Sequence, residues 1–183
     1  VRNEKLIGKY WMEHPECYSG QIILFNGISK YQKYVDTNGW LAFSMTDNYK
    51  RQKNLTNNSA RININRYPQE NLKEKIRLLI CENDYLKNFV EKRKHNFFCF
   101  EDLKITMETV PDINNRIELS SKETDLFGIP KSILYWKMNE ADHENHKNYL
   151  LEFAKFLIDN DLGRLKIKSF VLDYRNHEIF NEN

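Results

Sequence analysis

Glycine is scarce in this sequence, and its scarcity is informative. The six glycines of the 183-residue chain stand at positions 8, 20, 27, 39, 128 and 163. No two are placed to form the GxGxxG dinucleotide fingerprint or a phosphate-cradling P-loop. Both devices use glycine because backbone must approach a phosphate without a Cβ in the way. Independent flavin or nicotinamide binding by the usual route is therefore not expected. Cysteine is also sparse: Cys17, Cys81 and Cys99 are odd in number and none lies in a CxxC pair, which argues against a disulfide framework or a zinc ribbon. Each is expected to be a buried thiol. No apolar run approaches a membrane span, and no signal peptide is visible. No charge of one sign dominates: 28 basic and 26 acidic residues leave a net charge of +2. That balance gives no electrostatic reason to expect a nucleic-acid or anionic-membrane partner. The Lys92-Arg93-Lys94 run reads as a solvated helix end.

What is present is a chain with enough apolar material for one core: 40% of residues are hydrophobic and 13% aromatic. Alternation and apolar runs place strands over 18–25, 39–45, 60–67 and 97–110, a strand pair at 115–120 and 132–138, and a last strand over 165–172. Asp47 is expected to cap a short polar helix over 48–55. Pro68 opens a helical region in which Leu72, Ile76, Leu79 and Ile80 fall at helical spacing. After Asn83-Asp84, Tyr85, Leu86, Phe89 and Val90 share one side of a second helix. The longest helix runs from Glu140 to Asp159, with Tyr149, Leu150, Phe153, Ala154 and Leu157 in one stripe, and Gly163 stands where a stop belongs. This order indicates an α+β fold, a mainly antiparallel mixed sheet with helices packed on one face. Residues 1–15 read as a lead-in and 16–183 as one domain. Both ends read as cuts within a longer chain.

Chemistry-bearing patterns are few. His143 and His146 are three apart on the long helix, close enough to share a face, but two ligands do not make a transition-metal site and no partner cluster is evident. No metal is expected. There is no GxSxG elbow, and neither Cys81 nor Cys99 has a nucleophile signature. Asn54 and Asn57 begin Asn-x-Ser/Thr sequons, which matter only on a eukaryotic secretory route. Along 103–109, Lys104, Thr106 and Glu108 share one side, opposite Leu103, Ile105, Met107 and Thr109. A polar side of that kind is ordinarily a solvated sheet face. It becomes the wall of a substrate cavity if a second domain covers it. Tyr135 and Trp136 alternate, so one of the two rings points away from the helix-covered core.

Several segments, taken in order, are similar to the substrate-binding domain of the glucose–methanol–choline (GMC) flavin oxidoreductases. IGKYWMEHP resembles the family's lead-in, with Lys9 where arginine is usual. METVPDINNRIELSSKETDLFGIPKSILYWKMNEAD resembles its later strand pair through Glu108, Pro111, Arg116, Leu119, Ser120, Asp125, Gly128, Pro130, Trp136 and Asp142. Asn115 stands where serine is common. The likeness is good over about 107–165 and loose elsewhere. It implies the substrate domain of an FAD-dependent enzyme oxidising the CH–OH group of an alcohol or sugar. The FAD would be held by a domain of the same parent chain, with the glycine fingerprint before Val1 and the catalytic residues beyond Asn183. No catalytic residue is carried over to this chain, and His177 matches no motif. On this reading Lys104, Thr106, Glu108 and Trp136 face substrate and His14 lies at the interdomain surface. Nucleic acid and membrane are not expected as partners. The compartment, cytoplasmic or periplasmic, stays open. The alternative is a free-standing α+β binding or interaction module with no redox activity.

Overall fold

The computed structural model describes residues 4–25, 31, 33–63, 72, 76, 79–81, 83–93 and 100–176. The sequence alternation becomes a five-stranded sheet in the order β2-β3-β4-β1-β7, from strands β1 (Glu16–Leu24), β2 (Trp40–Ser44), β3 (Ser59–Asn63), β4 (Glu101–Thr106) and β7 (Gly163–Ile167). Strands β5 (Arg116–Thr124) and β6 (Pro130–Tyr135) form a separate hairpin. The helices are α1 (Asp47–Lys53), α2 (Asp84–Arg93), α3 (Glu140–Asp159) and the short α4 (Ser169–Leu172). The α+β class is as expected. Every ladder among the described strands is antiparallel, so the parallel component of a mixed sheet is not found among them.

The core forms where two periodicities meet. Every second residue of the strands, including Ile22, Leu24, Leu41, Ile62, Leu103 and Ile105, is buried on one side. The α3 stripe of Tyr149, Leu150, Phe153 and Leu157 packs onto them. Helix α3 begins at a capping box: the Asn139 side chain accepts from the Asp142 amide, and the Asp142 carboxylate accepts from the Asn139 amide. The same carboxylate also accepts from the Val110 amide at 2.6 Å, which ties the helix start to the segment after β4. Midway along α3, Tyr49 of α1 donates to Glu152 at 2.5 Å, which ties the two helices together.

Five expectations are corrected. The 97–110 strand is shorter, Glu101–Thr106 among described residues, yet its alternation continues: Met107 and Thr109 are buried beyond the strand end. The last strand runs Gly163–Ile167 and is followed by α4, so 169–172 are helical. Gly163 is the first residue of β7 and not the stop of α3. Asp161 takes the left-handed conformation there (φ +51°), and Gly163 is needed because a Cβ would overlap the carbonyl oxygen of Ile23 on β1. Thr46, not Asp47, caps α1, its hydroxyl accepting from the Tyr49 amide at 3.4 Å. Residues 72, 76 and 79–81 are helical as expected, while 64–71, 94–99 and 177–183, with Pro68, Cys99 and His177, lie outside the described residues. Cys81 is disulfide-bonded, against the expected free thiol.

Candidate functional site

The sheet has a second side, and the strand register defines it. Arg61 pairs with Ala42 and Lys104, and Lys104 with Tyr18. Ser59 pairs with Thr106, and Thr106 with Glu16. Gln21 pairs with Asp102 and Lys166, and Ile23 with Arg164. These residues alternate with the buried ones and point away from α3. Tyr18, Asp102, Arg164 and Lys166 are exposed, and Arg61 and Lys104 are half-buried.

Glu16 organises the centre of this face. Its carboxylate accepts from Thr106 Oγ1 at 2.8 Å and from Lys104 Nζ, and Arg61 stands 3.6 Å away. The Lys104 hydrogen bond, then that of Thr106, holds the Glu16 carboxyl below the usual carboxylate range. Lys104 Nζ also lies 5.5 Å from the centroid of the Trp40 ring. Two further cation–ring pairs follow along β1: Lys168 Nζ over Tyr18 at 6.0 Å and Arg164 Cζ over Phe25 at 5.1 Å. The face is thus polar and cationic, with aromatic rings set among the charges.

A second constellation lies on the inner side. A bulge in β1 between Tyr18 and Gly20 turns Ser19 inward. Ser19 Oγ is 2.8 Å from His146 Nε2, 3.2 Å from the Cys17 carbonyl oxygen and 3.0 Å from Cys17 Sγ. The Ser–His distance is that of a nucleophile and its base. Ser19 is 0% and His146 2% exposed, so no substrate reaches the pair. Burial, with His143 one turn away as a lesser cause, pushes His146 down to about 4, so it is neutral at pH 7. Burial likewise raises the Cys17 thiol. The cluster is a satisfied polar element of the core. His146 continues the α3 stripe one turn before Tyr149 and Leu150 and sits fully inside the core. Its partner Ser19 is turned inward by the bulge, which is set by the β1–β4 register and leaves no mark in the sequence.

The positions singled out from sequence fall into different places. Lys104 and Thr106 lie together on the face. Glu108 lies beyond the β4 end and its carboxylate accepts from the Asn57 amide at 2.9 Å. Trp136 is past the end of β6, half-buried, and its indole N–H finds no acceptor among the described residues; Tyr135 is the exposed ring, with Arg116 Cζ 4.3 Å from its centroid. His14 is exposed, between residues whose backbones bond Thr109 and Met107. His143 is half-buried against the Tyr174 ring, 4.6 Å between centroids. It makes no metal site with His146, and no cluster of three metal-ligating side chains occurs among the described residues. None of the described helices is long and apolar enough to cross a membrane. Sequence reading missed Arg61, Arg164 and Lys166 as members of the face, because only the cross-strand register brings them beside Lys104.

Comparison with models of known protein families and with curated proteins finds no match to this chain.

Proposed function

We propose that this chain is a binding module whose working surface is the outer face of the five-stranded sheet. The observation that carries the reading is the arrangement of Glu16, Arg61, Lys104, Thr106 and Trp40 on that face, while the helix stripe takes up the other. A sheet with one packed side presents side chains on rigid backbone, which is how a β-surface holds a ligand in fixed register. Amide shifts in labelled protein titrated with small anions (inorganic phosphate, a mononucleotide, glucuronate) test it. Changes grouped on Tyr18, Arg61, Lys104 and Lys166 support the reading. Changes grouped on the β5–β6 hairpin, or none at millimolar anion, refute it.

A second reading makes the same face the roof of a substrate cavity in an FAD-dependent oxidoreductase acting on alcohol or sugar CH–OH groups. The placement of Lys104 and Thr106 on the outer face favours it. In that case a separate domain of the parent chain holds the FAD and carries the redox chemistry. The surrounding reading frame separates the two: an upstream GxGxxG and a downstream catalytic histidine pair belong only to the second.

A further inference from the structure

Whole-chain charge is close to balanced, but the fold sorts it. Strand β7 places Arg164 and Lys166 on the outer face, and Lys168 continues the series on extended backbone (φ −69°, ψ 146°). Side chains two residues apart on a strand are ~6.8 Å apart, a step close to one nucleotide of an extended strand. The neighbouring strand supplies rings at both ends of this series: Tyr18 beside Lys168 and Phe25 beside Arg164, exposed by 50% and 42%. Five cations, Arg61, Lys104, Arg164, Lys166 and Lys168, share the face with the carboxylates Glu16 and Asp102, and a third carboxylate, Glu108, follows beyond the β4 end. Two of those carboxylates are already engaged, Glu16 by Lys104 and Thr106, and Glu108 by the Asn57 amide. Among the described residues no carboxylate stands within ion-pair distance of Arg164, Lys166 or Lys168.

Resting on the reading of this face as the working surface, we propose that the β1–β7 strip binds single-stranded nucleic acid. Phosphates follow Arg164, Lys166 and Lys168 while bases stack on Tyr18 and Phe25. An acidic peptide or a sulfated sugar would use the cations and leave the rings idle. Bases use both, because every base has a π-face and each cation now over a ring can swing to a phosphate. Tyr18 to Phe25 spans ~20 Å of strand, room for roughly four nucleotides, the low end of site sizes on single β-domains.

The test is fluorescence anisotropy of labelled dT15 and rU15 with the purified chain. Three to five phosphate contacts, at about −0.7 in log–log slope each, predict a ~20- to 130-fold loss of affinity between 50 and 200 mM salt. The triple variant Arg164→Gln, Lys166→Gln, Lys168→Gln should flatten that slope by about two units. Tyr18→Ala should weaken binding about 5-fold or more, and Tyr18→Phe should restore it. All four positions are on the surface, and an unchanged circular dichroism spectrum verifies the fold. No binding at 50 mM salt overturns the proposal, as does equal competition by heparin or by an abasic oligonucleotide of the same length. In those cases phosphate-induced shifts that still map to the outer face leave the binding-surface reading standing. Crosslinking of the oligonucleotide to the hairpin removes both.

Discussion

Acid should destabilise this protein in a window that belongs to histidine, and His146 is the group that sets it. The imidazole is 2% exposed, bonds Ser19 Oγ at 2.8 Å, and is held down to about 4 from an ordinary 6.5. A base whose folded pKa is lowered binds fewer protons in the folded state than in the unfolded state. Its contribution is complete above pH 6.5, declines as pH falls from 6.5 to 4, and then levels off. At 1.36 kcal/mol per unit the decline totals about 3 kcal/mol, of which about 2 kcal/mol is lost by pH 5. Both atoms of the pair are inside the core, so solvent screening removes little of this. His143, lowered in the same direction by its half-burial, adds a smaller decline. Carboxylates do not blur the window. Those shifted here, Glu16, Asp112, Glu140 and Glu152 among them, are lowered, and so lose their contribution only as pH falls through their folded values, below about 4.5. Urea unfolding at half-unit steps from pH 7.5 to 4.5 measures the decline. The His146→Gln variant, less stable at pH 7, should lose most of the slope. An imidazole proton titrating by NMR near 6.5, with the same pH slope in wild type and variant, would refute the reasoning.

Two further outcomes follow from backbone contacts. Gly163→Ala places a Cβ against the Ile23 carbonyl oxygen, backbone against backbone, so β1 and β7 must part. The expected cost is about 1–3 kcal/mol or more, read as a lower urea midpoint at unchanged slope. Asn115→Ala removes both hydrogen bonds by which the buried Asn115 amide clasps the Lys137 backbone (3.1 and 3.0 Å). It should cost about 1–3 kcal/mol. Faster amide exchange should then appear through β5 and β6, with β1 and β4 unaffected. Equal acceleration across both sheets would contradict the separate-hairpin arrangement.

Much of the scaffold is legible in the sequence, and the reasons are local. Helix α3 begins and ends where its 3.6-residue stripe says it does, because the Asn139–Asp142 box fixes its start and its apolar face is continuous. The alternation from Leu103 to Thr109 correctly names the buried side, though the hydrogen-bonded ladder stops at Thr106. Where reading fails, a distant partner decides. Gly163 looks like a helix stop because glycine often is one, but the Ile23 carbonyl on another strand is what demands it. Residues 169–172 continue the apolar character of β7, yet they turn helical after Lys168, whose amide bonds the Ser19 carbonyl at the bulge. Cys81 carries no spacing signal, so its bond could not be read. The face itself was half legible: Lys104 and Thr106 show as a polar period on one strand, while Arg61, Arg164 and Lys166 join them only through register.

Strand β1 would tolerate a change of length at one place only. The two residues of a bulge lie on roughly the same side of the sheet, so Ser19 is the extra residue in an otherwise regular alternation of Cys17 inward, Tyr18 outward, Gly20 inward and Gln21 outward. Deleting Ser19 keeps every other side chain of the strand on its own face, and the groups that lose a partner are those Ser19 bonds: His146, Cys17 and the Lys168 amide. Deleting a neighbour beyond the bulge, such as Gln21, moves one flank of the strand onto the wrong side, bringing polar residues into the core and Ile22 or Leu24 into water. The phase of the sheet is therefore insulated from an insertion at the one point where the strand already carries one.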